Sequence, residues 1–184
     1  MRWLKDPKVE VNLRRLGIKF EILTGIKRAD IDREEGLRRQ VRLSGKLNDD
    51  VMLRYAIAMQ EPEAAFPMPI LQRERKRSWA WSGNHRLGAA EAAEVELVDA
   101  YIVEVFDPVM VDLLPRLVNT WEAVVGMSRE EAVVNARFMV DKHGMVVEEA
   151  AKLFGINPKT VYSHGRAAEI KEKVEKLGVP TDGF

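Results

Sequence analysis

The sequence predicts an α+β protein in which a small mixed-sheet domain (residues 1–106) is followed by an all-helical region (residues 107–184) that contains a helix-turn-helix at about 146–166. Three observations lead there. Short runs of strand character, "IKFEIL", "RSWAWS" and "LVDAYIVEV", alternate with helical patterns as far as Phe106. From Pro108 onward the patterns are helical only. The 184 residues, 46% hydrophobic and 32% charged, are enough for one ordinary domain with an appendage.

Up to about Leu16 the chain mixes basic and apolar residues without a period, and no element is assigned. Ile18, Phe20 and Ile22 then alternate onto one side of a half-buried strand. Lys27 to Lys46, highly charged and broken by Gly36 and Gly45, reads as an exposed connection. Asn48 or Asp49 caps a helix whose apolar positions are Val51, Met52, Tyr55, Ala58 and Met59, and Pro62 ends it. "FPMPILQRE" is too rich in proline for a central helix, so it reads as a loop entering a short strand at Ile70 and Leu71. Trp79 and Trp81 alternate as in a strand and are read as packing residues. After a short helix through Ala93, "LVDAYIVEV" is the last strand. Ser128 and Glu131 have capping-box spacing, Ala132, Ala136, Met139, Val140 and His143 share one helical face, and Gly144 closes that helix.

The formal net charge is zero, so any nucleic-acid contact must come from a local patch. The absence of cysteine removes disulfides, thiolate catalysis and thiolate zinc sites. No apolar run approaches a membrane span, and the first residues lack the apolar core of a signal peptide. The expectation is a cytoplasmic protein with no membrane partner.

"VVEEAAKLFGINPKTVYSHGR" has the spacing of a helix-turn-helix. Ala151 supplies the small residue where two helices cross, and Gly155 the positive φ of a sharp turn. Ile156 and Val161 lock the second helix, with Pro158 in its first turn. Its outer face is expected to carry Lys159, Thr160, Tyr162, Ser163 and Arg166, residue types suited to phosphates and base edges of double-stranded DNA. His164 departs from the pattern, standing where an aliphatic residue is usual.

"WSGNHRLGAAEAAEV" sets Gly83, Asn84, His85 and Arg86 between a strand and an alanine-rich helix. Read blandly, this is a turn, a cap and a surface ion pair. The functional reading is an anion site: glycine admits a ligand close to the backbone, the helix start offers N–H groups, Asn84 caps, and His85 and Arg86 donate to phosphate oxygens.

"FPMPILQRE…WAWSGNHRLGAAEAAEVELVDAYIV" resembles the core of the ParB/sulfiredoxin superfamily from about Arg39 to Val105, and the Gly83–Arg86 turn is the most specific part of that match. "VNTWEAVVGMSREEAVVNARFMVDKHGMVVEEAAKLFGINPKTV" is similar to the helices that lead into the helix-turn-helix of ParB proteins. The resemblance implies a nucleoside triphosphate site, for CTP or ATP with magnesium, formed by Gly83, Asn84, His85 and Arg86 with Arg42, Gln72 and Asn119. Glu122 stands where the family has an arginine, which argues against complete CTP hydrolysis. The sequence ends soon after "EIKEKVEKLGV", so a ParB-type C-terminal dimerisation domain is not expected, although a homodimer remains among the partners considered.

The expected function is nucleotide-responsive DNA binding, as a transcriptional regulator or a partition-like factor. On this reading Arg86→Ala weakens nucleotide binding and leaves the fold intact. Sulfiredoxin chemistry is excluded, because Asn84 replaces its cysteine. The alternatives are enzymes: a metal-dependent nuclease using Glu91, Glu94, Asp99 or Glu104, or a small-molecule phosphotransferase. No catalytic residue stands out and no metal site is expected. Arg73, Arg75, Lys76 and Arg77 read as a solvated hairpin tip.

Overall fold

Ahead of the first long strand the chain already commits to a helix: Asp6 accepts the Lys8 N–H (2.9 Å), and Pro7 occupies the first helical position. The computed structural model describes residues 1–38, 47–75, 77–121 and 127–162. It divides into two compact units, Met1–Gly126 and Met127–Phe184.

The first unit is built on a four-stranded mixed sheet in the order β2-β6-β4-β5. Its strands are β2 (Phe20–Lys27), β4 (Ile70–Glu74), β5 (Arg77–Ala80) and β6 (Leu97–Val103). β6 pairs antiparallel with β2 and parallel with β4, and β5 closes a hairpin on β4. Being interior, β6 buries Val98, Ala100, Tyr101, Ile102 and Val103 in a nearly continuous apolar run. β2, at the edge, is only half buried and shifts register between Leu23 and Ile26, where Gly25 takes φ +68°.

Three stretches differ from the sequence expectation. The unassigned opening forms β1 (Arg2–Leu4) and α1 (Pro7–Arg15). The helix was hard to read because it buries only Val9 and Leu13, one turn apart. β1 pairs in parallel with β3 (Ala65–Pro67), so part of the proline-rich loop is strand; the second proline, Pro69, lies beyond it. The charged connection contains a 3-10 turn (Arg28–Asp30), buried Ile31 bridged to Ser78, and α2 (Arg33–Arg38). Gly36 sits inside α2 rather than breaking it. A Cβ there would stand 3.2 Å from the Ala80 nitrogen, so the glycine lets α2 lie close to β5. Gly45 lies outside the described residues.

α3 (Asp49–Met59) starts as expected, with the Asn48 side chain accepting the Val51 N–H (3.1 Å). α4 (Asn84–Ala92) follows β5, and α5 (Pro108–Trp121) follows β6. Leu114 and Val118 of α5 belong to the same core cluster as Trp79, Trp81 and Tyr101. α5 therefore packs with the first unit, whereas the sequence reading ends the first domain at Phe106. Apolar burial rather than the change from strands to helices draws the line between the units. The Tyr101 hydroxyl accepts the Asp6 N–H (2.7 Å) and so ties β6 to the start of α1, and burial raises its pKa.

In the second unit, Ser128 and Glu131 cap α6 (Arg129–His143) reciprocally, and Gly144 closes it at φ +66°. α7 (Val147–Leu153) follows, and residues 158–162 are again helical. No helix among the described residues is long and apolar enough to cross a membrane.

Candidate functional site

The strand-to-helix turn is set by Gly83, which starts α4 from φ +88°, and whose carbonyl accepts the Leu87 N–H (2.8 Å). A Cβ on Gly83 would lie 2.7 Å from the Pro69 Cβ, so glycine is required twice, for its dihedral and for the approach of Pro69. Because Gly83 is the capping residue, Asn84 falls one position later, and α4 has no side-chain cap. The capping role expected of Asn84 is corrected accordingly.

His85 and Arg86 are also placed differently from the sequence reading. His85 Nε2 accepts the backbone N–H of Asn48 (2.9 Å), so this nitrogen faces the start of α3. Arg86 is only 6% exposed, and its Nη1 donates to the Pro67 carbonyl (2.7 Å). It clamps α4 to the end of β3 from inside the fold.

Gln72 is buried on β4, and its Nε2 donates to the Val105 carbonyl (2.9 Å) and the Arg73 carbonyl (3.2 Å). No hydrogen bond among the described residues joins it to the Gly83–Arg86 turn. Asn119 lies on α5. Arg42 lies outside the described residues.

The carboxylates weighed for metal chemistry are held in other ways. Glu91 pairs with Arg33 and with Arg28 (3.4 Å), and burial, followed by the charge of Arg28, lowers the Arg33 pKa. Asp99 accepts the Gly25 N–H (2.9 Å), and Glu104 pairs with Arg73 (3.2 Å), which also holds Glu21 (2.7 Å). Glu94 stands just past α4 at φ +55°. No three histidine or acidic side chains converge on a common point among the described residues.

In the second unit, Ala151 is fully buried and its carbonyl accepts the Ile156 N–H (2.9 Å) across a turn in which Gly155 takes φ +66°. The Asn157 side chain accepts the Lys159 N–H (2.9 Å) and so starts the next helical stretch, with Pro158 as its first helical residue. Val161 is fully buried. Lys159 and Tyr162 are exposed, but Thr160, expected on the outer face, is only 8% exposed. Thr160 and Val161 are neighbours on the inner side of a helix only a turn old. Ser163 and Arg166 lie outside the described residues.

No family model matches the chain, and no curated protein matches it. The solved structures similar to it include two of the C-terminally truncated chromosome-partitioning protein ParB from Caulobacter crescentus. The one complexed to the centromeric parS site is 15% identical, with 63% of this chain and 58% of that chain covered and a TM-score of 0.43. The one complexed with CTP-gamma-S is 12% identical, with 85% and 87% covered and a TM-score of 0.45. Likeness at this level does not bear on what this chain binds.

Ser82, Asn48 and Pro69 were not singled out from the sequence as site residues, yet all three adjoin the turn. Asn48 is remote in sequence and reaches His85 only through the packing of α3 on α4. Gly88 is the one local signal of that packing. A Cβ there would stand 2.7 Å from Met52 Sδ, which marks α4 as a helix crossed closely by another.

Proposed function

We propose that the protein binds double-stranded DNA through a helix-turn-helix formed by α7, the Gly155 turn and the helix that begins at residue 158. The observation that carries this reading is the turn itself: Ala151 buried at the crossing, Gly155 in the left-handed region, and Val161 buried while Lys159 and Tyr162 point to solvent. Tyr162 is 46% exposed, a large side chain left available for a groove edge. Thr160 is left out of the contact set. Lys159, Tyr162, Ser163 and Arg166 form the proposed face.

The same reading assigns the Gly83–Arg86 turn to a nucleoside triphosphate, CTP or ATP with magnesium, that modulates DNA binding. The local chemistry fits an anion through the backbone: a left-handed glycine, a helix start with no side-chain cap, and the helix dipole. His85 and Arg86 border the turn on this reading, His85 Nε2 held by the Asn48 N–H and Arg86 Nη1 by the Pro67 carbonyl, with Arg86 Nη2 3.4 Å from where a Gly83 Cβ would stand. The protein would then act as a cytoplasmic regulator or partition-like factor. The nuclease reading draws no support from Glu91 and Glu104, which are held in ion pairs, or from Asp99, which accepts the Gly25 N–H.

The test is DNA affinity against salt, measured by anisotropy with a labelled duplex, with and without CTP or ATP and magnesium. Replacing Lys159 and Arg166 together by Ala is expected to lower affinity and to reduce the log–log salt slope by about two, roughly one for each phosphate no longer neutralised. An unchanged slope would put the DNA surface elsewhere.

A further inference from the structure

Ser82, the residue before the glycine that opens α4, is only 4% exposed, and its hydroxyl has no hydrogen-bond partner among the described residues. Proteins rarely leave a buried hydroxyl in that condition, because it has given up water and received nothing in return. Its position narrows the explanation. The helix it precedes begins without a side-chain cap, so this unpartnered hydroxyl stands two residues before Asn84, at the N-terminal end of α4. On the far side of Gly83, Asn84 is half buried and carries an amide with no hydrogen bond among the described residues.

We infer that Ser82 is a ligand-binding residue of this turn, its hydroxyl donating to an oxygen of the phosphate chain while the α4 amides and the Asn84 side chain take its neighbours. The inference rests on the nucleotide reading above and deepens it. An oxyanion is the chemistry that satisfies the whole set, since every group concerned can donate and α4 presents the positive end of its dipole.

The neighbouring side chains define what Ser82 is distinguished from. Arg86 already donates to the Pro67 carbonyl, and His85 already accepts from Asn48, so both have structural work in the protein alone. Ser82 has none, and its removal therefore separates binding from folding where theirs would not.

The test uses the full chain and its Ser82→Ala variant, titrated with CTP, ATP and tripolyphosphate in magnesium, beside a thermal melt of each protein alone. The variant is expected to melt at or above the wild-type temperature, having lost only an unpartnered hydroxyl, and to bind the triphosphate about tenfold more weakly. Equal affinity in the two proteins would overturn the role of Ser82 and leave the nucleotide reading standing. A variant that melts several degrees lower would also overturn it, by showing that the hydroxyl is already bonded within the fold. If the wild type binds none of the three ligands, the nucleotide reading itself fails, and with it the assignment of Ser82.

Discussion

Arg86 illustrates how a residue singled out for a ligand can also hold the fold. An arginine just inside a helix start, after a glycine, invites a phosphate. Here its guanidinium is turned inward and holds the Pro67 carbonyl at 2.7 Å, with the side chain almost wholly removed from water. Removing it leaves a carbonyl without its donor and a space in the packing. Arg86→Ala is therefore expected to destabilise the first unit by about 2–3 kcal/mol, the scale of a buried charge-assisted hydrogen bond. Urea unfolding followed by tryptophan fluorescence would measure it, since Trp79 and Trp81 lie in that core. A stability unchanged from wild type would return Arg86 to the surface role read from the sequence. For the same reason, weaker nucleotide binding by this variant would combine a disturbed turn with any lost phosphate contact. Sequence spacing located the turn, but it could not say which way the arginine points. That depends on Pro67, nineteen residues earlier and on another strand.

Elements were legible wherever their ends carried chemistry of their own. Asn48, the Ser128–Glu131 pair and Gly144 bound their helices as read, because a cap is a local hydrogen-bonding pattern. α1 and the β1–β3 pair were not, since a two-residue apolar stripe and three-residue strands have no period to detect. α2 was hidden by its charge and by Gly36, whose reason is the backbone of β5 and not its own helix. One element end departs from its expected chemistry. α4 closes with Ala93, and the next residue, Glu94, takes the left-handed conformation (φ +55°) usually given to glycine. Its side chain is exposed, so little packing is at stake. Glu94→Gly is expected to stabilise the protein by about 0.5–1 kcal/mol through relief of that strain, partly offset by the greater freedom of glycine in the unfolded chain. A thermal melt suffices to check it. A fall in melting temperature would mean that the Glu94 side chain makes a contribution its exposure does not suggest.

At the scale of the whole chain, the two units pose the question of where the first fold ends. The change from strands to helices falls after Phe106, but the packing continues through α5. Leu114 and Val118 are fully buried in the first unit's core, with Met110, Val111 and Trp121 packed against it. Fully burying a side chain of this size is worth about 1.5–3 kcal/mol, and a domain as a whole is stable by only about 5–15 kcal/mol. Losing two such residues and their neighbours would therefore remove a large share of the total. A fragment of residues 1–126 is expected to unfold cooperatively in urea with a midpoint close to that of the first unit in the full chain. A fragment of residues 1–106 is expected to lose the cooperative transition, with Trp79 and Trp81 emitting as solvent-exposed indoles at low denaturant. Equal midpoints for the two fragments would make α5 a connector between the units and restore the boundary at Phe106. If the longer fragment holds, it also separates the two ligands: it should keep the triphosphate affinity of the turn and lose the DNA affinity proposed for residues 147–166. That outcome would assign each activity to its own unit. Loss of triphosphate binding from a well-folded 1–126 fragment would mean that the turn alone is not the nucleotide site.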